Sequence, residues 1–174
     1  MNKTEIYLNS AEDTVRLGAL IGQNVSGRLV LALIGDLGAG KTTLTQGLAQ
    51  ALGVEDAVSS PTFLMLNEYN AQEVPLYHFD LYRLQEDLDL DSRAVANLKF
   101  ELDEIMDTFP NVVAVVEWLN LWEDFCSDYS ELRICIEYVA EGGRKAILTS
   151  RGNEAEKVLL ACQEKMAGFS KSGL

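Results

Sequence analysis

Basic side chains are scarce. The 174-residue chain carries 14 Lys and Arg against 27 Asp and Glu, a formal charge of −13, so its surface repels nucleic-acid backbones and anionic lipid rather than gathering them. Neither nucleic-acid binding by the chain alone nor membrane association is expected. Histidine occurs once, at His78, which leaves no second imidazole for a zinc site. The three cysteines, Cys126, Cys135 and Cys162, are odd in number and widely spaced, so reduced, packed thiols are expected rather than a disulfide framework. No apolar run approaches the roughly 18 residues of a membrane span. The start Met1-Asn2-Lys3-Thr4-Glu5 is not followed by an apolar signal core, and a cytoplasmic location is the expectation. Repeats and an interdomain linker are missing too. The length suits one domain, expected over residues 1–167 with a frayed tail at 168–174.

Against these absences stands one dense motif. Gly35-Asp36-Leu37-Gly38-Ala39-Gly40-Lys41-Thr42 follows the apolar run at 29–34 and opens a helical pattern, which is both the spelling and the setting of a P-loop. A glycine-rich turn lets successive backbone N–H groups point at phosphate oxygens, and the following helix adds the positive end of its dipole. Lys41, expected on an exposed loop, supplies a cation for the β- and γ-phosphates, and Thr42 offers a hydroxyl to Mg²⁺. The chain is expected to bind a nucleoside triphosphate.

The surrounding pattern predicts an α/β fold: a single domain with a mixed central sheet flanked by helices, including antiparallel hairpins. Ser10 reads as the N-cap of a helix striped by Val15, Leu17, Leu20 and Ile21, ending between residues 22 and 27. The runs 29–34 and 112–116 are apolar on both faces, as central parallel strands are. Leu44, Leu48, Ala51 and Leu52 stripe the P-loop helix, Gly53 marks its end, and Gly47 within it marks close packing. Stretches 63–69 and 74–81 read as one hairpin, and 132–139 with 145–150 as a second at a sheet edge. A helical pattern starts at Arg93, and Asn153 with Glu156 resembles a capping pair for a last helix.

Phosphoryl transfer needs a carboxylate for the metal or its waters, usually at the end of an apolar strand beside the P-loop strand. Glu117, closing 112–116, has the cleaner setting, and Asp80, closing another strand, competes with it. An Asp80 pairing with Arg83 would be an ordinary surface contact. His78, on the same strand face as Asp80, reads as a hydrogen-bonded strand residue. Position alone leaves a γ-phosphate-sensing loop and a proline-fixed turn equally open for Ser59, Ser60 and Thr62. Trp118 and Trp122 read as packing or interface aromatics, and the acidic stretch 85–91 as a solvated face.

Taken in order, the P-loop, Val58-Ser59-Ser60-Pro61-Thr62-Phe63, Asn67-Glu68-Tyr69, Leu76-Tyr77-His78-Phe79-Asp80-Leu81-Tyr82-Arg83-Leu84 and Val116-Glu117-Trp118 resemble the TsaE family, also called YjeE, from about Ser10 to Trp118. The resemblance implies a small Mg²⁺-dependent ATPase, cytoplasmic, needed for the threonylcarbamoyladenosine modification of tRNA at position 37. It implies that ATP hydrolysis resets a complex of TsaD and TsaB on which the protein docks. By matching motif it places Gly35 to Thr42 and Thr43 on phosphate, Thr62 in a nucleotide-sensing loop, Thr42, Asp80 and Glu117 at the metal, Lys41, Asp80 and Glu117 in catalysis, and Trp118 near the active site. The sequence departs from the family at Leu119-Asn120 and in the longer, more acidic 85–98 stretch. Two other classes compete. A small-molecule kinase would need an arginine-bearing lid, which the seven scattered arginines do not form, and a regulatory GTPase would need Asn-Lys-x-Asp, approached only by Asn2-Lys3-Thr4-Glu5 ahead of the P-loop.

Overall fold

Two apolar runs with no polar face, 29–33 and 112–116, become the centre of the sheet because each can bury both sides only between helical layers. The computed structural model describes residues 2–61, 65–71, 74–82, 92–118, 123–140 and 142–166. Its elements in chain order are β1 (Lys3–Leu8), α1 (Ala11–Asn24), β2 (Arg28–Ile34), α2 (Lys41–Ala51), β3 (Leu66–Tyr69), β4 (Leu76–Asp80), α3 (Ser92–Thr108), β5 (Val112–Glu117), a 3₁₀ turn (Glu123–Cys126), β6 (Glu131–Tyr138), β7 (Arg144–Arg151) and α4 (Asn153–Met166). The seven strands form one mixed sheet in the order β1-β7-β6-β2-β5-β4-β3. β2 pairs in parallel with β5 and β6, and β4 in parallel with β5. The β3–β4, β6–β7 and β1–β7 pairs are antiparallel.

Alternate residues of β2 and β5 feed opposite cores. Leu29, Leu31, Leu33, Val113 and Val115 pack with apolar residues of α1, α2 and α4, while Val30, Ala32, Val112, Ala114 and Val116 pack with Leu98, Leu102, Ile105 and Met106 of α3. α1 and α2 lie in backbone contact. A Cβ on Gly47 would stand 2.0 Å from the Val15 carbonyl oxygen, and one on Gly18 2.0 Å from that of Leu44, so the close packing expected of Gly47 is present and Gly18 shares it. Ser10 caps α1, accepting from the Asp13 N–H at 3.2 Å.

Two local expectations need correction. The 132–139/145–150 hairpin is interior, because β1 adds to β7 and takes the edge. β1 gives little periodic signal: only Ile6 and Leu8 are buried, while Lys3 and Glu5 face solvent, as suits an edge strand. Gly152 and not Asn153 precedes α4, and the Ala155 N–H is capped by Ser130 Oγ at 2.9 Å. The first strand of the other hairpin is described only from Leu66; Thr62 and Phe63 lie outside the described residues, as do Arg83, the whole acidic stretch 85–91, Leu119, Asn120, Trp122 and the expected tail.

Candidate functional site

β2 ends at Ile34 and the chain turns through residues 35–40 into α2. Gly40, the residue before the helix, is left-handed at φ 115°, and no side chain caps the first turn. The leading N–H groups of α2 therefore face outward without an internal acceptor, beside the positive end of the helix dipole. Ala39 is fully buried and anchors the turn, whereas Leu37 at its tip is 83% exposed.

Lys41 departs from the exposed lysine expected: the residue is buried, at 5% exposure. Its Nζ donates to the carbonyls of Gly35 at 2.8 Å and Asp36 at 3.1 Å and lies 4.1 Å from the centroid of the Trp118 ring. Burial lowers the pKa of this ammonium from the ordinary lysine value, and the charges of Glu117, Asp80 and Asp36 oppose that shift. Trp118 reaches this position through a positive φ of 64°, a conformation unfavourable for a bulky residue and common at functional positions. Its N–H is held by Leu33 O at 3.1 Å and its ring packs on Tyr82, centroids 5.1 Å apart.

The two competing acids lie side by side. β4 and β5 end together, with Asp80 level with Glu117 in the parallel register, and both are buried, at 2% and 3% exposure. Ser60 Oγ donates to Asp80 Oδ2 at 2.8 Å and the Tyr82 N–H to Oδ1 at 2.9 Å. Glu117 Oε1 lies 2.9 Å from His78 Nε2, so the hydrogen-bonded strand histidine expected from the sequence has a specific partner. Gly38, Gly40, Lys41, Thr42 and Thr43 on one side and Ser60, Asp80, Tyr82, Glu117 and Trp118 on the other enclose a cavity of about 310 Å³. Sequence leaves two readings open for Ser59, Ser60 and Thr62; in the described part of that loop, Ser60 contacts the acid pair through Asp80. From β7, Arg144 Nη2 donates to Gly38 O at 3.3 Å while its guanidinium lies over the Tyr138 ring; this brace escapes sequence reading because its members are about a hundred residues apart.

Among the described residues no three His, Cys, Asp or Glu side chains converge as a metal cage. One hydroxyl and two carboxylates at the cavity wall instead suit a hard cation that keeps most of its waters and shares a ligand's phosphate oxygens.

The family described as "Threonylcarbamoyl adenosine biosynthesis protein TsaE" matches residues 8–146. A protein of Nostoc sp. named tRNA threonylcarbamoyladenosine biosynthesis protein TsaE is 40% identical over 147 residues, covering 84% of this chain and 85% of that one. The Bacillus subtilis protein of the same name is 38% identical over 135 residues, 78% of this chain and 76% of that one. The crystal structure of Bacillus subtilis YdiB superposes with a TM-score of 0.74 at 30% identity, covering 94% of this chain and 96% of that one.

Proposed function

The chain belongs to the TsaE family of threonylcarbamoyladenosine biosynthesis, and from that premise we propose that it is a Mg²⁺-dependent ATP hydrolase that docks on TsaD and TsaB and resets their complex between rounds of tRNA modification. The observation that carries this reading is the juxtaposition across one cavity of an uncapped helix N-terminus with its lysine and a buried pair of carboxylates. Backbone N–H groups of residues 38–43 bind the phosphates. Lys41 exchanges its two carbonyl acceptors for phosphate oxygens, a stronger charge-assisted contact, and the Trp118 ring keeps the ammonium over the loop.

Thr42, Asp80 and Glu117 would hold Mg²⁺, which when bound offsets charge building on the transferring phosphoryl oxygens. Glu117 orients the attacking water by accepting a hydrogen bond from its O–H, while Asp80 is fixed by Ser60 and the Tyr82 N–H. Thr62 completes the nucleotide-sensing loop. Neither a kinase lid nor the base-reading motif of a GTPase gains support from the described residues.

Glu117→Gln removes one negative charge while keeping shape and should leave Mg·ATP affinity within about threefold while cutting hydrolysis in the complex with TsaD and TsaB by about a hundredfold. Phosphate release by this variant is the check, with Asp80→Asn in parallel. Wild-type turnover by Glu117→Gln alone moves the water-orienting role to Asp80; wild-type turnover by both removes the acid pair from catalysis.

A further inference from the structure

His78 is the single histidine of the chain, and its side chain is fully buried. It stands level with Val115 in the β4–β5 register, two residues before the Asp80–Glu117 pair, and reaches diagonally to Glu117 Oε1, 2.9 Å from Nε2. The cavity wall includes Asp80 and Glu117 but not His78, so the imidazole meets the carboxylate from the core side. Its other ring nitrogen, Nδ1, is buried and meets no hydrogen-bond partner among the described residues.

These contacts favour a ring proton on Nε2. An N–H buried without an acceptor forfeits its hydration, a cost of about 1–3 kcal/mol, whereas a proton on Nε2 meets an acidic oxygen at ordinary hydrogen-bond length. We propose that His78 is a positioning residue that donates Nε2–H to Glu117 Oε1, fixing the carboxylate so that Oε2 is the oxygen presented to the cavity. The terminal torsion of a glutamate is broad and roughly two-fold. A donor on one oxygen selects an orientation and turns a mobile acid into a single aimed acceptor. Hydrolysis is sensitive to that aim because a reacting water misplaced by about 1 Å can cost a hundredfold in rate. The inference rests on the hydrolytic reading of Glu117. It adds that the acid's orientation is set from within the core, by a residue outside the cavity wall.

One histidine makes the ring directly readable. Long-range ¹H–¹⁵N spectra of the untagged protein are expected to show a proton on Nε2; a ring whose single proton sits on Nδ1 overturns the proposal. Glutamine can place its amide nitrogen near the position of Nε2, while leucine fills similar space with no donor. His78→Leu is expected to keep its KM for ATP within about threefold and lose kcat by about tenfold or more in the complex with TsaD and TsaB, with His78→Gln recovering most of that loss. A His78→Leu variant at wild-type kcat, or two variants equally slow, overturns the proposal. If His78→Leu does not fold, the ring spectrum decides by itself. A wild-type complex that binds but does not hydrolyse ATP counts against the proposed function, and the same spectrum still decides the placement of the proton.

Discussion

Lys41 holds the P-loop closed on itself through two carbonyls and is stacked under an aromatic ring, so its truncation has two separable effects. Lys41→Ala should weaken Mg·ATP binding by about 2–5 kcal/mol, thirtyfold or more, because a charged contact within a largely enclosed site is lost. Its thermal midpoint should fall far less, in keeping with about 1 kcal/mol per lost hydrogen bond. Titration calorimetry showing unchanged affinity would remove the phosphate assignment. The cysteines behave differently because burial outweighs the cations near them. Burial pushes Cys126 and Cys162 up to about 12, and it also raises the half-buried Cys135, with Glu137 beside it adding to the shift. Thiolate is the reactive form, so at pH 8 a thiol reagent should label Cys135 first and reach the other two only on unfolding. Native Cys126 or Cys162 reacting as fast as Cys135 would contradict that order.

At the scale of elements, the α1–α2 contact is the most exacting. Alanine at Gly47 would drive a methyl group to 2.0 Å from the Val15 carbonyl oxygen, rigid backbone that can yield only if the two helices separate. Gly47→Ala should therefore cost about 3 kcal/mol or more, lowering the melting midpoint by about 6–12 °C; calorimetry within about 1 °C of wild type would show that the helices are free to part. This position was legible in the sequence because a glycine inside a striped helix asks for a reason, and the P-loop, β2 and β5 were legible because spelling and apolar continuity are local. What depended on distant partners was not. β1 has too few buried residues to announce itself and exists by pairing with β7. The cap on α4 comes from Ser130, 25 residues upstream. At the site, the motif located Lys41, Asp80 and Glu117, but the His78–Glu117 contact joins residues 39 apart across parallel strands. The turned backbone of Trp118 likewise depends on how the strand ends are held, which no window of sequence contains.

The distribution of charge over the whole molecule bears on how a family that works on tRNA uses a chain of −13. Affinity for nucleic acid comes chiefly from Lys and Arg displacing counterions, and it needs them gathered and available. Here the basic residues nearest to a cluster are engaged elsewhere. Arg144 holds Gly38 O, Lys145 lies 3.5 Å from Glu137 and 3.9 Å from Glu5, and Arg133 and Arg151 share the buried Glu131 at 2.7 and 2.5 Å. Folding has thus paired these side chains with acids or backbone rather than assembling a basic stripe. The protein alone should bind tRNA negligibly at physiological salt, and the proposed contact with TsaD and TsaB should draw on its acidic surface meeting a more basic face. Exposed charges are screened within about 8 Å at physiological ionic strength, so the on-rate for that complex should fall steeply as salt rises while its off-rate changes less. Filter binding that detects micromolar tRNA affinity for the isolated chain, or association kinetics indifferent to salt, would show that the −13 charge does not set the partner.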